Sequence, residues 1–433
     1  MIPPNSSVLE IGCGTGDLLA SLQPSRAVGV DFSANMLEQA REKYPRCEFV
    51  LADAHELCLN ETFDFVILSD LINDLWDVQI VFEVAHRHCH ANTRLLINSF
   101  SHLWQIPLSI ASALGLAKPN LEQNWLDVEE IYNLLYQADF DVLRTFPEFF
   151  WPLNIPFIEP LFNRVLVRFW PLTWMALTNF FVARPHLNSS ENNPAPIVSV
   201  LVPARNEEGN IPEIFKRVPR MGSQTELVFV EGHSRDNTYQ VIWDTVAAHP
   251  EVNCVVLKQT GEGKGDAVRT GFAAASGDIL MILDADLTVP PEDLPRFYRA
   301  LVSGKGEFIN GVRLVYPMEK QAMRFMNLLG NKFFSLAFSW LLGQPIADTL
   351  CGTKVLWRSD YERIAANRSY FGDFDPFGDY DLLFGAARLN LKIVDLPIRY
   401  RERKYGSTNI QRWKHGWLLI KMVAFAARQI KFV

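Results

Sequence analysis

"ILMILDADLT", residues 279–288, closes an unbroken apolar run with two aspartates one residue apart. Five apolar residues in a row read as a strand covered on both faces, the kind that parallel sheets bring together. A carboxylate at the end of such a strand is costly unless a partner faces it. Extended backbone sends Asp284 and Asp286 to one face and Ala285 to the other. Taken alone, the pair fits two structures equally. One is a solvated turn, since "DADLTVPPEDL" has the composition of one. The other is a pair of hard oxygen ligands for Mg²⁺ or Mn²⁺.

Upstream of this stretch, strand-like runs alternate with helical patterns: "IVSVLVPARNEEGNI", "TELVFVEGHS" and "NCVVLKQT". The same alternation runs through residues 1–100 in "SVLEIG", "AVGVD", "CEFVLAD", "DFVILSD" and "RLLINSF". Each series predicts a doubly wound α/β sheet. "DFDVLRTF" and "TWMALTNFFVARP" read as two strands closing the first sheet. Between the two series lies "HLNSSENNPAP" (186–196), almost without apolar residues, which reads as a linker. The expected organisation is therefore two tandem α/β domains, 1–186 and 197–433, joined by 187–196.

Composition narrows the function classes. Of the 433 residues, 48% are hydrophobic, which argues for packed cores and against disorder. The six cysteines are scattered with no CxxC pair, so neither zinc nor disulfides are expected, and a reducing compartment fits. No charged segment followed by an apolar one opens the chain, so no signal peptide is expected. The longest apolar stretches are shorter than the ~18–20 residues of a membrane-spanning helix. Residues 1–186 carry 11 basic and 22 acidic residues, against 30 and 27 in 187–433. From Lys392 onward the count is 10 basic to 2 acidic, with aromatic and aliphatic residues interleaved. That pattern favours an anionic membrane surface or a phosphate ligand. No nucleic-acid motif accompanies it, and nucleic acid is not expected as a partner.

"VLEIGCGTGDLL" (8–19) reads as a strand, a glycine turn and a helix start. Gly12, Gly14 and Gly16 permit a tight turn and close approach of a ligand to the backbone. Asp31 ends the next strand, where a carboxylate can accept from two ribose hydroxyls. Asp53 ends the third, within reach of an adenine amine. Over about residues 7–186 the chain resembles the class I S-adenosylmethionine-dependent methyltransferases. The resemblance implies a Rossmann-like sheet and methyl transfer, with Gly12, Gly14, Gly16, Asp31, Asp53 and Ala54 binding the cofactor. Those proteins usually carry a few tens of residues before the glycine motif, whereas here it begins at Val8. "HRHCH" (86–90) reads as a solvated helix end rather than a metal site, for it has no second ligand cluster. No base for the methyl acceptor is readable.

Around Asp284 and Asp286 stand "VSVLVPARNEEGNI" (198–211), "VFVEGHSRDNT" (228–238), "GEGKGDAVRTGF" (261–272), "FINGVRLVY" (308–316), "IADTLCGTKV" (346–355) and "RYRERKYGSTNI" (399–410). With "DADLTVPPEDL" these seven come in the order of the family 2 glycosyltransferases, and resemble the dolichyl-phosphate mannose synthase-like branch over nearly all of 197–433. The resemblance implies a GT-A fold, a nucleotide-sugar donor and inversion at the anomeric carbon. It implies that Pro203, Arg205, Glu207, Val230 and Glu231 line the nucleoside pocket and that Lys264 approaches the donor. Asp284 and Asp286 would hold the metal, and Arg313 and Arg403 would clamp phosphate. Glu231, Gly232, His233 and Ser234 depart from the usual two acids and a glycine before the serine. Thr408 and Asn409 replace a common serine–lysine pair.

A polyprenyl phosphate or related lipid carrier is the expected acceptor, because its phosphate oxygen is ionised near neutral pH and needs little base assistance. A glycan hydroxyl is the alternative, with the N-terminal domain then a non-catalytic docking module. It would need a base, for which Asp348, Asp379 and Asp381 are candidates; Asp348 fits a turn acid equally. "RWKHGWLLIKMVAFAARQIKFV" reads as an interfacial helix with Lys414, Lys421 and Arg428 on one stripe, or as a helix packed on the domain. "NKFFSLAFSWLLG" (331–343) fits the same two readings. The expected location is peripheral, on the cytoplasmic face of the cell membrane.

Overall fold

In the computed structural model of the chain, the described residues are 2–113, 124–149, 158–169, 172–186, 194–313, 325–367, 379–398, 401, 405, 420–421, 423–424 and 426–428. The chain divides into two compact units, Met1–Leu187 and Asn188–Lys431. Most of the expected linker, residues 187–193, lies outside the described residues.

The first unit contains β1 (Ser7–Ile11), β2 (Arg26–Asp31), β3 (Glu48–Leu51), β4 (Phe63–Leu68), β5 (Cys89–Phe100), β6 (Phe140–Glu148) and β7 (Thr178–Pro185). They form one sheet in the order β3-β2-β1-β4-β5-β7-β6. β1 to β5 are parallel, and β7 runs antiparallel between β5 and β6. Val8, Leu9 and Ile11 are fully buried, as a strand covered on both faces requires. The order of strands reverses between β1 and β4, so the turn after β1 sits where open α/β sheets bind ligands.

The second unit contains β8 (Ile197–Ala204), β9 (Gln224–Glu231), β10 (Asn253–Lys258), β11 (Ile279–Ile282), β12 (Phe308–Val312), β13 (Lys354–Trp357) and β14 (Ile393–Pro397), ordered β10-β9-β8-β11-β13-β12-β14. β8 to β11 are parallel, and β13 alone is antiparallel to both of its neighbours. Here too the order reverses beside β8, between it and β11. The fold is thus two α/β domains, a Rossmann-like sheet followed by a GT-A-like one.

Helix Phe325–Leu342 has a mixed character. Phe338, Leu341 and Leu342 are buried in the core beside Phe384, while Phe333 and Leu336 face outward. At the C-terminus, Ala426 is buried and Val423 and Ala427 pack on the same core, with Lys421 exposed. Trp413, Lys414 and Trp417 lie outside the described residues. No helix among the described residues is long and apolar enough to cross a membrane.

Candidate active sites

In the first unit the turn Gly12–Gly16 follows β1 directly. The Gly12 and Cys13 amides donate to the Val30 carbonyl, which folds the turn over β2. Gly16 caps the next helix with φ +75°, and a Cβ there would lie 2.7 Å from the Phe49 ring, so only glycine fits. A Cβ on Gly14 would meet nothing within 4 Å, which leaves its outer side open. The Asp31 carboxylate accepts from the Gly14 amide and the Ser33 amide, both at 2.8 Å. Asp53 accepts from the His55 amide at 2.9 Å and lies 2.7 Å from His55 Nδ1. These bonds, the backbone one first, hold its carboxyl below the usual range. His55 in turn stacks on the exposed Trp76, ring centroids 4.5 Å apart. Ala54 is half-buried beside Asp53.

Sequence reasoning missed Glu10. Its signal was one acid inside the apolar run "SVLEIG". The residue is buried, and its Oε2 has no hydrogen-bond partner. Burial pushes the carboxyl up to about 7, the Leu19 backbone opposes this, and Asp31 adds to it. A carboxyl raised in the folded state favours folding fully below its ordinary value of 4.5, and that contribution is lost as pH climbs to about 7. Wild type should therefore lose stability relative to Glu10→Gln between about pH 5 and pH 8, by about 3 kcal/mol. Thermal midpoints of both proteins across that range check the sign.

The three-histidine stretch is not a solvated helix end. His88 is buried, its Nε2 accepts from the Leu59 amide and its Nδ1 lies 2.8 Å from the Val84 carbonyl. His86 packs edge-on against Phe140. No group of three or more histidine, cysteine or acidic residues suited to a metal occurs among the described residues.

In the second unit the carboxyl ends of β8, β9, β10, β11 and β12 lie at one edge of the sheet, and the motif loops leave from there. Pro203 pairs with Val230, and Ala204 with Glu231, across β8 and β9. Glu231 is buried and accepts from the Ser234 amide at 2.5 Å. Arg205 is exposed, whereas Glu207 is buried and bonded to Asn210. The Asn210 side-chain amide donates to Glu207 at 2.7 Å, which ties the carboxylate to its own loop.

β11 stops at Ile282, two residues before the first aspartate. Asp284 opens a tight turn in which the Leu287 amide donates back to the Asp284 carbonyl and Leu287 takes φ +54°. Alternation of burial nevertheless continues, for Ala285 is buried in the core while Asp284 and Asp286 are partly exposed. Asp286 accepts from the Thr288 amide and hydroxyl, at 3.1 and 2.8 Å. Lys264 sits on the first turn of helix Gly263–Ala274, its Nζ 2.7 Å from Asp284 Oδ1. Burial works to raise the Asp284 carboxyl, but Lys264, Arg313 and Lys354 outweigh it and hold the group below the usual range. Gly352 closes over this pair: a Cβ there would fall 2.1 Å from Asp284 Oδ2 and 2.3 Å from Lys264 Nζ.

Arg313 and Asp348, expected as a phosphate clamp and a candidate base, bind each other. Arg313 Nε and Nη2 donate to the two Asp348 oxygens at 2.7 and 2.9 Å. The Leu350 and Arg313 amides add two further bonds, and Asp348 is fully buried. A carboxylate so saturated and shielded has the geometry of a structural anchor, the turn-acid alternative for this residue. Beneath it lies a polar layer not legible in sequence. Buried Lys354 donates to Asn310 and to the Cys351 carbonyl, and Asn310 donates to Asp395. Arg403 lies outside the described residues, as does the side chain of Asp379; Asp381 is buried. Residues flanking Arg403 are anchored at this same edge. The Arg401 amide donates to the Thr288 carbonyl, and the Tyr405 hydroxyl donates to Glu208.

Residues 199–364 match the family model of glycosyl transferase family 2, and residues 8–92 match a methyltransferase domain. The dolichol-phosphate mannosyltransferase of Pyrococcus furiosus is 36% identical over 247 residues, covering 54% of this chain and 67% of that protein. An undecaprenyl-phosphate 4-deoxy-4-formamido-L-arabinose transferase of Pseudomonas fluorescens is 32% identical, covering 50% of this chain and 61% of that protein. Glucosyl-3-phosphoglycerate synthase from Mycobacterium tuberculosis, solved with Mn²⁺ and UDP, is 20% identical with a TM-score of 0.41, covering 54% of this chain and 80% of that one. The chain spans 31% to 61% of the length of the first curated relatives it matches. Through its C-terminal half the chain belongs to glycosyl transferase family 2, while in its N-terminal half residues 8–92 are similar to a methyltransferase domain.

Proposed function

We propose that the C-terminal unit transfers a sugar, with inversion, from a nucleotide sugar to a polyprenyl phosphate or related lipid carrier. The N-terminal unit transfers a methyl group from S-adenosylmethionine, which makes the protein bifunctional. The observation that carries the first reading is the gathering of the motif loops around Asp284 at one sheet edge. Relatives named for dolichol phosphate and undecaprenyl phosphate support the acceptor class.

Asp284 and Asp286 are the proposed ligands of Mg²⁺ or Mn²⁺. The donor set fits: hard oxygens, one of them held ionised and already facing an ammonium group. When bound, the ion supplies positive charge against the departing nucleoside diphosphate. Pro203, Arg205, Val230 and Glu231 edge the nucleoside, with Glu207 shaping their loop. Arg403 and Arg401 neutralise the acceptor phosphate, while Arg313 is oriented by Asp348. An acceptor already ionised suits a site whose first candidate base is locked in an ion pair. Orientation and charge neutralisation then supply the rate.

In the N-terminal unit the unpartnered Glu10 oxygen and the open side of Gly14 fit a ligand that carries an amino group and approaches the backbone closely. Asp31 and Asp53 are the proposed ribose and adenine contacts, with Gly12, Gly16 and Ala54 beside them. The proposed location is peripheral, on the cytoplasmic face of the cell membrane, supported by the basic residues after Lys392.

A donor-hydrolysis screen of the full chain with Mn²⁺ across nucleotide sugars tests the first activity; turnover of none removes it. Titration of S-adenosylmethionine into the full chain by calorimetry tests the second. Lys264 adds a sharper expectation. Its ammonium competes for Asp284, so Lys264→Met should tighten Mn²⁺ binding in the absence of nucleotide on the order of tenfold. Unchanged affinity in an ion titration would show that the lysine does not compete.

A further inference from the structure

The N-terminal unit exposes large apolar side chains along one edge of its sheet. The chain leaving β5 forms the turn His102–Trp104 and the helix Gln105–Ala113. Leu103 is 61% exposed, Ile106 71% and Ile110 55%, and the two isoleucines share a face because they are four residues apart. The connection from β6 to β7 adds Phe149, Phe169 and Met175, each about half exposed. Ser101 and the Trp104 indole tie the first segment to the second, and Leu177 closes the second on itself. Ser101 donates to the Leu177 carbonyl at 2.8 Å, Leu177 to that of Phe149 at 2.6 Å, and Trp104 Nε1 to that of Met175 at 2.9 Å.

The position of this patch matters as much as its character. β5 and β6 end, and β7 begins, at the carboxyl edge of the parallel strands. That edge also carries the glycine turn, Asp31 and Asp53. Charge is distributed accordingly. The described residues of 101–126 and 149–177 hold one acidic residue, Glu159, and two basic ones, Arg164 and Arg168, whereas the remainder of 1–186 outside these two segments holds 20 acidic and 8 basic. An anionic bilayer repels an acidic domain, so only a face cleared of carboxylates can approach it. Contiguous exposed apolar surface calls for an occupant.

We propose that this rim docks into the headgroup layer of a membrane, which presents the methyl-donor site to lipid-borne acceptors; the second clause rests on the methyl-transfer reading above, the first does not. The test is co-sedimentation of the full chain with phosphatidylcholine vesicles. Zwitterionic lipid is chosen because it does not attract the basic C-terminal segment by charge. Wild type should sediment with the vesicles, and the double exchange Ile106→Asp/Ile110→Asp should lower the bound fraction about tenfold or more. Leu103→Asp, on the preceding turn, is a second variant with the same expected direction should the double exchange disturb the fold, and circular-dichroism melting identifies which variants are folded. Wild type left in the supernatant, or folded variants that sediment like wild type, would overturn the proposal. If S-adenosylmethionine gives no heat yet the variants still lose vesicle binding, the methyl-transfer reading fails and the docking surface stands.

Discussion

Asp284→Asn should cut sugar transfer by about a thousandfold while leaving the fold intact. The exchange keeps the shape and removes one charge. What is lost is the ionised oxygen that Lys264 already faces at 2.7 Å and that Arg313 and Lys354 help keep charged. Because the carboxylate is partly exposed and its turn is held by backbone atoms, the stability change should stay within about 1 kcal/mol. Asp286→Asn is a less clean probe, since the same oxygen fixes Thr288 and the turn with it. Donor turnover measured beside nucleotide-dependent Mn²⁺ binding separates the effects. Both should fall together, and turnover within tenfold of wild type would dismiss the aspartate as a metal ligand.

The second large effect falls on stability. Asp348→Asn should destabilise the protein by about 3–5 kcal/mol, because it removes a buried charge that Arg313 grips with two guanidinium hydrogen bonds. Four donors converge on this carboxylate, and an amide can satisfy only part of them. Denaturant unfolding reads the loss. The double exchange Arg313→Met/Asp348→Leu should recover part of it, since an apolar pair of similar volume removes both members of the buried ion pair. If Asp348→Asn instead kept full stability and lost turnover, the residue would return as a base and a hydroxyl acceptor with it.

Much of this was legible in the chain. Apolar runs that end in Gly12, Asp31 and Asp284 announce strands covered on both faces, while the run before Asp53 forms the exposed edge strand β3. The order of the motifs from Pro203 to Tyr405 predicts which loops meet at the edge. Asp284 and Asp286 keep the alternation expected of a strand even though the strand has already ended, since Ala285 must still reach the core.

What the amino-acid sequence determined by itself was periodic and local: two α/β halves, the glycine turn after β1 and the acids after β11. Only the tertiary structure decided the pairings. That Arg313 belongs to Asp348, that Lys264 lies against Asp284 under Gly352, and that Glu10 and His88 are buried depend on residues tens of positions apart meeting across a sheet. The free energy of a charge depends on what surrounds it in space, and spacing along the chain carries no record of that surrounding.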